Sequence, residues 1–113
     1  MAVKKKLLEA DVQDACVKWA RARGYWARKF SSIAQRSVPD YLFSHRGNIA
    51  EILWITGGAK IKFACEFKAP GKTSTDAQVE EQELMRLAGW FVFECDNLEV
   101  FKATVIAYEK ECI

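Results

Sequence analysis

Three side chains that could hold and use a metal ion stand in two short segments of the sequence. Asp40 follows Pro39, and Glu66 is separated from Lys68 by one residue. Two carboxylates that lie close together repel each other unless they share a proton or a hard divalent cation. A cation held in this way polarises a phosphate and lowers the pKa of a bound water, while a neighbouring lysine orients that water or stabilises developing negative charge. These residue types therefore favour metal-dependent hydrolysis of a phosphodiester.

The segment that carries Glu66 and Lys68 has the alternation of a β-strand. Within residues 60–68, one face carries Ile61, Phe63, Cys65 and Phe67, and the other carries Lys62, Ala64, Glu66 and Lys68. Burial accounts for the apolar face. The Glu66–Lys68 pair has two interpretations, because an ion pair on a solvated outer face has the same pattern. Asp40 favours a site, since it opens a strand after a proline and would meet Glu66 if the two strands were neighbours.

The periodicity of apolar residues predicts helices on both sides of a group of strands. A helix is expected over residues 6–23, a strand over residues 25–30 and a loop over residues 31–39. Further strands are expected from residue 40 to a turn at residues 46–48, and then as a hairpin over residues 49–56 and 60–68. A helix over residues 75–88, a strand over residues 90–95 and a helix from Asn97 to residue 111 follow. This order predicts an α/β fold with a mixed central sheet flanked by helices, as a single domain over residues 1–113.

Composition, charge and cysteine spacing limit the class of protein. The 113 residues are 50% hydrophobic and 28% charged, as in ordinary globular domains. Residues 1–72 hold 14 Lys and Arg against 6 Asp and Glu, whereas residues 73–113 hold 3 against 9. The basic half suits a polyanionic partner, although the two halves could also neutralise each other on one surface. The sequence shows neither a signal peptide nor an apolar span, which predicts a cytoplasmic protein without a membrane partner. The cysteines have neither zinc-site nor redox-site spacing, which predicts reduced thiols.

Three segments of the sequence together resemble one family of nucleases. They are SVPDYLF at residues 37–43, CEFKAPGKTSTDAQ at residues 65–78 and LAGWFVFECDN at residues 87–97. The first two contain the Pro-Asp and Glu-x-Lys elements of the PD-(D/E)XK nuclease signature, and the whole set is similar to the VRR-NUC family, the virus-type replication-repair nucleases. The resemblance implies a PD-(D/E)XK nuclease-like core and a Mg²⁺- or Mn²⁺-dependent DNA endonuclease in a bacterial or phage-infected cell. It also implies branched substrates, such as flaps and four-way junctions.

The resemblance assigns roles to individual residues. It implies that Asp40 and Glu66 bind the metal together with the main-chain carbonyl of Phe67, and that Lys68 is the catalytic lysine. It also implies that Gln78 supports the site. Gln78 has a second explanation, because the residues from Thr75 to Gln78 fit a capping box in which Gln78 turns back to the amide of Thr75.

An acidic residue on the first helix is also expected from the resemblance, and the sequence offers Glu9, Asp11 and Asp14. Helical geometry places Glu9 at the border of the apolar stripe, Asp11 further round and Asp14 on the far side. A residue at that border can reach the rim of the sheet. Glu9 is therefore the expected catalytic residue and additional metal ligand, and Asp11 is the alternative.

Basic residues near the site and one apolar segment indicate partners. The candidates for holding the DNA backbone are Arg28, Lys29, Arg36 and Lys72. Residues 49–55 are apolar on both sides of the expected strand, which fits either a buried strand or a subunit interface. Free-standing members of the family act as homodimers, so the resemblance favours the interface and predicts a homodimer. The tryptophans expected in the core are Trp19, Trp26 and Trp90.

Two other functions are compatible with the sequence. One is a non-catalytic DNA-binding module that keeps the nuclease fold, although such a module has no need of paired metal-binding carboxylates. The other is a restriction-type endonuclease, although a chain of 113 residues has little surface for reading bases. Digestion of plasmids of different sequence separates a restriction-type enzyme from a structure-selective one, because only the former gives sequence-defined fragments.

Overall fold

The computed structural model describes residues 8–30, 39–45 and 61–112. These residues form α1 (Glu9–Ala22), β1 (Tyr25–Lys29), β2 (Tyr41–His45), β3 (Lys62–Phe67), α2 (Asp76–Leu87), β4 (Phe91–Cys95) and α3 (Leu98–Cys112). For β1, α2, β4 and α3 the bounds differ from the sequence prediction by at most one residue. The predicted strand over residues 49–56, the dimer interface inferred from residues 49–55, and Arg36 lie outside the described residues.

The four described strands form one mixed sheet in the order β1-β2-β3-β4. β1 pairs antiparallel with β2, and β2 pairs antiparallel with β3. β3 and β4 are parallel, and α2 provides the crossover that a parallel pair requires. The prediction of a mixed central sheet flanked by helices is confirmed. Tyr41 pairs with Cys65, so β2, which follows Asp40, and β3, which contains Glu66, are neighbours, as the site requires.

One face of the sheet carries the hydrophobic core. The rings of Phe43 and Phe63 stack across β2 and β3 with their centroids 4.7 Å apart, and Phe101 of α3 packs 5.6 Å from Phe43. α1 contributes its buried stripe of Val12, Cys16, Val17 and Ala20 to the same cluster. α1 and α3 therefore cover this face, where their apolar residues pack against the strands and against each other.

The opposite face of β3 is buried as well, so the interpretation of Glu66 and Lys68 as a solvated ion pair is wrong. Ala64 is completely buried, and Glu66 is only 3% exposed. α2 lies on this side, where its Arg86 donates a hydrogen bond of 2.9 Å from Nη2 to the carbonyl of Val92. A parallel neighbour on one side and a crossover helix above explain why β3 is buried on both faces.

The termini of the helices follow the sequence signals. The hydroxyl of Thr75 accepts a hydrogen bond of 3.2 Å from the amide of Gln78, and Asn97 Oδ1 accepts one of 2.8 Å from the amide of Val100. Gly89, which follows α2, has a φ of +97°, a conformation that other residues rarely adopt. The cap at Thr75 has a functional consequence, because it fixes the turn that holds Gln78.

Two further features of the described chain bear on the sequence predictions. The four cysteines are free thiols, and Cys16, Cys65 and Cys95 are buried. Trp19 packs against the core, but Trp26 is 39% exposed, so its assignment to the core is wrong. Trp26 lies on the face of β1 that points away from the core, where no described helix covers it. In the described part of the chain, no helix has the length and apolarity to cross a membrane.

Candidate active site

Asp40 and Glu66 lie side by side where β2 begins and β3 ends. Tyr41 pairs with Cys65, so Asp40, one residue earlier, is opposite Glu66, one residue later. Asp40 Oδ2 accepts a hydrogen bond of 3.2 Å from the amide of Phe67, which anchors its side chain to the end of β3. Burial raises the pKa of Asp40, although this hydrogen bond and the charges of Lys29 and Lys68 oppose the rise.

Glu66 is a buried carboxyl group with an unusually high affinity for a proton. Burial is the largest cause, the negative charge of Asp40 is the next, and together they raise the pKa of Glu66 to about 7. Lys68 opposes this rise through its charge and hydrogen bonding. A partner that brings positive charge into the site would stabilise the ionised form of such a carboxylate pair.

Gln78 of α2 connects Glu66 and Lys68 in one hydrogen-bonded network. Its Oε1 accepts hydrogen bonds of 2.7 Å from Lys68 Nζ and of 2.9 Å from the amide of Thr75. Two donors on one oxygen fix the orientation of the side-chain amide, so Nε2 donates a bond of 2.7 Å to Glu66 Oε1. Gln78 is therefore both a helix cap and a direct contact of the site, and the two explanations drawn from the sequence describe one arrangement.

The two oxygens of Glu66 have different surroundings. Oε1 accepts from Gln78 and also lies 3.4 Å from Lys68 Nζ. Oε2 is buried and has no hydrogen-bond partner among the described residues, a condition that it shares only with Nδ1 of His45. A buried carboxylate oxygen without a donor is costly unless the group takes up a proton or a cation occupies the space beside the oxygen.

The donor set beside Oε2 fits a hard divalent cation. Asp40 and Glu66 supply carboxylate oxygens, which Mg²⁺ and Mn²⁺ prefer, and Mg²⁺ is often held by only one or two carboxylates with water in its other positions. Among the described residues, no three His, Cys, Asp or Glu side chains are grouped closely enough to hold a metal ion. The protein therefore offers a two-carboxylate site rather than a closed cage.

The two acidic candidates at the start of α1 have different surroundings. The charge of Glu9 contributes to the raised pKa of Glu66, which places Glu9 within electrostatic reach of the pair. Asp11 instead accepts a hydrogen bond of 2.8 Å on Oδ2 from the amide of Leu8 at the end of the helix. The charge of Glu9 thus acts on Glu66, whereas Asp11 caps the start of α1.

The loop between β3 and α2 is held by two acidic residues that the sequence analysis did not select. Glu94 Oε2 accepts hydrogen bonds from both the amide and the hydroxyl of Ser74. Asp96 Oδ2 accepts a bond of 2.9 Å from the amide of Gly71. Glu94 also pairs in register with Glu66 across β3 and β4. Only the parallel pairing of the two strands brings these residues together, and no spacing in the sequence indicates it.

The basic candidates occupy two positions around the carboxylates. Lys72 and Lys68 line a cavity of about 200 Å³ beside the same loop. Arg28 and Lys29 are exposed on β1, and the charge of Lys29 opposes the burial-driven rise in the pKa of Asp40. Arg36, the fourth candidate, is outside the described residues. Positive charge thus lies on both sides of the carboxylate pair.

Comparison of the folds identifies a structural relative. A solved structure described as a VRR_NUC domain superposes with a TM-score of 0.69 at 21% sequence identity, covering 88% of this chain and 96% of that one. The chain has the fold of a VRR_NUC domain. The match confirms the α/β fold expected from the sequence resemblance.

Comparisons of the sequence alone give no corresponding match. No family model matches the chain, and no curated protein matches it. At 21% identity the VRR_NUC fold is preserved where the sequence has largely diverged. The chemistry of this chain therefore has to be argued from its own residues.

Proposed function

We propose that this protein is a Mg²⁺- or Mn²⁺-dependent endodeoxyribonuclease, with Asp40 and Glu66 as metal ligands and Lys68 as the catalytic lysine. The observation that carries the proposal is the orphaned Oε2 of Glu66, buried beside Asp40 at the rim of the sheet. A module that only bound DNA would have no reason to keep a destabilising, half-satisfied carboxylate there. The VRR_NUC fold supports the same conclusion by analogy.

The residues of the site have different roles in hydrolysis. A divalent cation bound there would supply Lewis-acid activation of the phosphodiester and of the attacking water. Asp40 and Glu66 provide its carboxylate ligands, with the main-chain carbonyl of Phe67 and the side chain of Glu9 as further candidates. Held by these groups, a cation would lie at the end of β3, near Lys68.

Lys68 and Gln78 act beside the metal ligands. Gln78 accepts from Lys68 Nζ and donates to Glu66 Oε1, so it holds the ammonium group against the carboxylate pair. From that position Lys68 can orient the attacking water or stabilise the charge that develops on the phosphate. Gln78 itself keeps Glu66 Oε1 engaged, so that Oε2 would remain available to a cation.

The proposed substrate is branched DNA, such as a flap or a four-way junction, and the proposed assembly is a homodimer. The exposed basic residues Arg28, Lys29 and Lys72 supply contacts for the DNA backbone. A two-fold dimer would present two sites to a symmetric junction, and paired cuts would follow. These parts of the proposal derive from the sequence resemblance.

Cleavage of end-labelled duplex, flap and four-way-junction DNA with Mg²⁺ or Mn²⁺ tests the proposal. Glu66→Ala and Lys68→Ala should each reduce cleavage by at least about a hundredfold. Lys102→Ala is the matched control, because Lys102 lies on α3 in a surface ion pair of 3.6 Å with Glu99. It should cut like the parent, and the product lengths report the substrate class.

Metal binding provides a readout that does not depend on cleavage. Titration with Mn²⁺, followed by electron paramagnetic resonance or calorimetry, should detect binding to the parent and none to Asp40→Asn or Glu66→Gln. A parent that binds DNA as tightly as its variants, but neither binds Mn²⁺ nor cuts any substrate, would be a DNA-binding module instead.

A further inference from the structure

The outward face of β1 carries two exposed aromatic side chains with an arginine between them. Trp26 is 39% exposed and Phe30, directly after the strand, is 41% exposed. Arg28 lies between them in the alternation, and its guanidinium carbon is 5.2 Å from the centre of the Trp26 ring. Single exposed aromatic residues are common, but two at alternate strand positions around a cation form a continuous surface. We call these three residues the aromatic strip.

The aromatic strip lies on the same face of the sheet as the candidate active site. Trp26 pairs with Ser44 and Arg28 with Leu42, on the face opposite to buried Ala27. The amide of Phe30 donates a hydrogen bond of 2.6 Å to the carbonyl of Asp40, which extends the pairing of β1 and β2 by one residue. Phe30 is thus next to Asp40 in the row of the sheet that also contains Glu66, and the strip leads directly to the carboxylates.

The chemistry of the aromatic strip matches that of an unpaired nucleic-acid strand. Bases stack on aromatic rings and on guanidinium planes, and a neighbouring cation neutralises the phosphates. Trp26 and Phe30 are four residues apart, about 13 Å along an extended strand, which is the length of about four stacked nucleotides. The bases of an intact duplex are stacked on each other and offer no free face to such a surface.

We propose that the aromatic strip binds unpaired nucleotides of the substrate and leads them to the phosphodiester at Asp40 and Glu66. The inference rests on the proposed nuclease function and specifies its substrate as DNA with a single-stranded portion beside the cut. Charge complementarity between Arg28 and the phosphates argues for this occupant, as does the position of Phe30 beside Asp40.

Binding of fluorescein-labelled oligothymidylate and of a blunt duplex of equal length, measured in EDTA to prevent cleavage, tests the inference. The double variant Trp26→Ala/Phe30→Ala should raise the Kd for the single strand by about ten- to a hundredfold, and that for the duplex by less than about threefold. Leu87→Ala is the control, because Leu87 is also an exposed apolar residue, with 84% of its surface accessible. It lies at the end of α2, which packs on β4 at the opposite end of the described sheet from β1. This variant should change neither Kd.

A second measurement avoids a disruptive substitution. Oligothymidylate should quench the tryptophan fluorescence of the parent, and Trp26→Phe should lose most of the quenching while its affinity stays within about threefold, since phenylalanine also stacks. Equal losses on single strand and duplex, or no loss on either, would overturn the inference. It would also fail if Trp26→Ala converted a dimer to a monomer in light scattering, because the strip would then be a subunit contact.

Failure of the inference and failure of the proposed function give different results. If the parent and the double variant cut a flap equally well, the nuclease function stands and the aromatic strip has no role in substrate selection. If the parent cuts nothing, the nuclease function fails, whereas the binding measurements in EDTA still report on the strip.

Discussion

Glu66 at the end of β3 and Glu109 near the end of α3 are both buried glutamates, at 3% and 8% exposure, with very different partners. Glu109 accepts hydrogen bonds from Arg23 Nε and Nη2, the shortest of 2.7 Å, and one of 2.8 Å from the hydroxyl of Tyr25. Glu66 accepts one side-chain hydrogen bond on Oε1 and has no donor for Oε2 among the described residues. The fold thus supplies hydrogen-bond donors to both oxygens of Glu109, whereas one oxygen of Glu66 has no donor among the described residues.

The difference is visible in the affinity of each group for a proton. Burial pushes the pKa of Glu109 upward, but the bonds from Arg23 and Tyr25 and the charges of Arg23 and His45 outweigh it, so the pKa lies below its usual value. At Glu66, burial and the charge of Asp40 prevail over Lys68, and the pKa rises to about 7. A buried carboxylate therefore indicates a site only when its partners leave it unsatisfied.

The largest expected effect is on cleavage by Glu66→Gln. The amide has nearly the shape of the carboxylate but cannot hold a divalent cation well. Cleavage should fall by about a thousandfold or more, because the contribution of the cation to the transition state is worth several kcal/mol. Glu109→Gln, a change of the same chemistry at the satisfied carboxylate, should retain the cleavage rate of the parent when both are measured well below the melting temperature. A comparable loss in both variants would remove the distinction between the two glutamates.

The next effect is on stability and depends on pH. The folded protein holds the proton of Glu66 up to about pH 7, whereas the unfolded chain releases it near the ordinary value of 4.5. The resulting stabilisation is full below about pH 4.5 and is lost as the pH rises to about 7, a change of roughly 3 kcal/mol. Melting in EDTA should therefore show Glu66→Gln to be more stable than the parent at pH 8, with a smaller difference at pH 5. Mg²⁺ should stabilise the parent at pH 8 and leave Glu66→Gln unchanged.

At the satisfied carboxylate the expected change in stability has the opposite sign. Glu109→Gln removes the negative charge that Arg23 and Tyr25 share, and should lower the free energy of unfolding by about 2–3 kcal/mol at pH 8. The pKa of Glu109 lies below its usual value, so this contribution is present at neutral pH and is lost as the pH falls through the folded-state pKa. Urea denaturation at pH 8 and pH 4 should show a smaller effect of the substitution at the lower pH. An equal effect at both values would mean that packing, not charge, accounts for it.

Much of the fold and part of the candidate site could be predicted from the sequence, because local signals specify them. Apolar alternation indicates β3, Asn97 caps α3, and the Pro39-Asp40 and Glu66-x-Lys68 elements stand at strand ends that the sheet brings together. The resemblance implied an acidic residue on the first helix, and helical periodicity selected Glu9 among the three candidates there. These features each depend on a few adjacent residues and on the periods of regular structure.

The features that could not be predicted depend on contacts between distant parts of the chain. Glu94 and Asp96 hold the loop after β3 only because β4 lies parallel to β3. The exposure of Trp26 follows from the position of β1 at the edge of the described sheet, whereas its hydrophobicity suggests the core. The unequal surroundings of the two Glu66 oxygens depend on the crossover helix α2, because α2 places Gln78 against Oε1 and not against Oε2. None of these leaves a pattern within a short segment.

The smallest expected effect separates the two roles of Gln78, which supports the unsatisfied carboxylate and also caps α2. Gln78→Ala and Thr75→Ala both break the capping box, and each should lower the free energy of unfolding by about 1 kcal/mol. Only Gln78→Ala also removes the donor to Glu66 Oε1 and the acceptor for Lys68 Nζ. We therefore expect cleavage to fall about tenfold in Gln78→Ala and by less than about threefold in Thr75→Ala, in kcat rather than in KM, because the contact orients reacting groups and does not bind DNA. Equal rates in the two variants would assign Gln78 to the helix cap alone, and Glu66 would then depend only on Lys68 for its orientation.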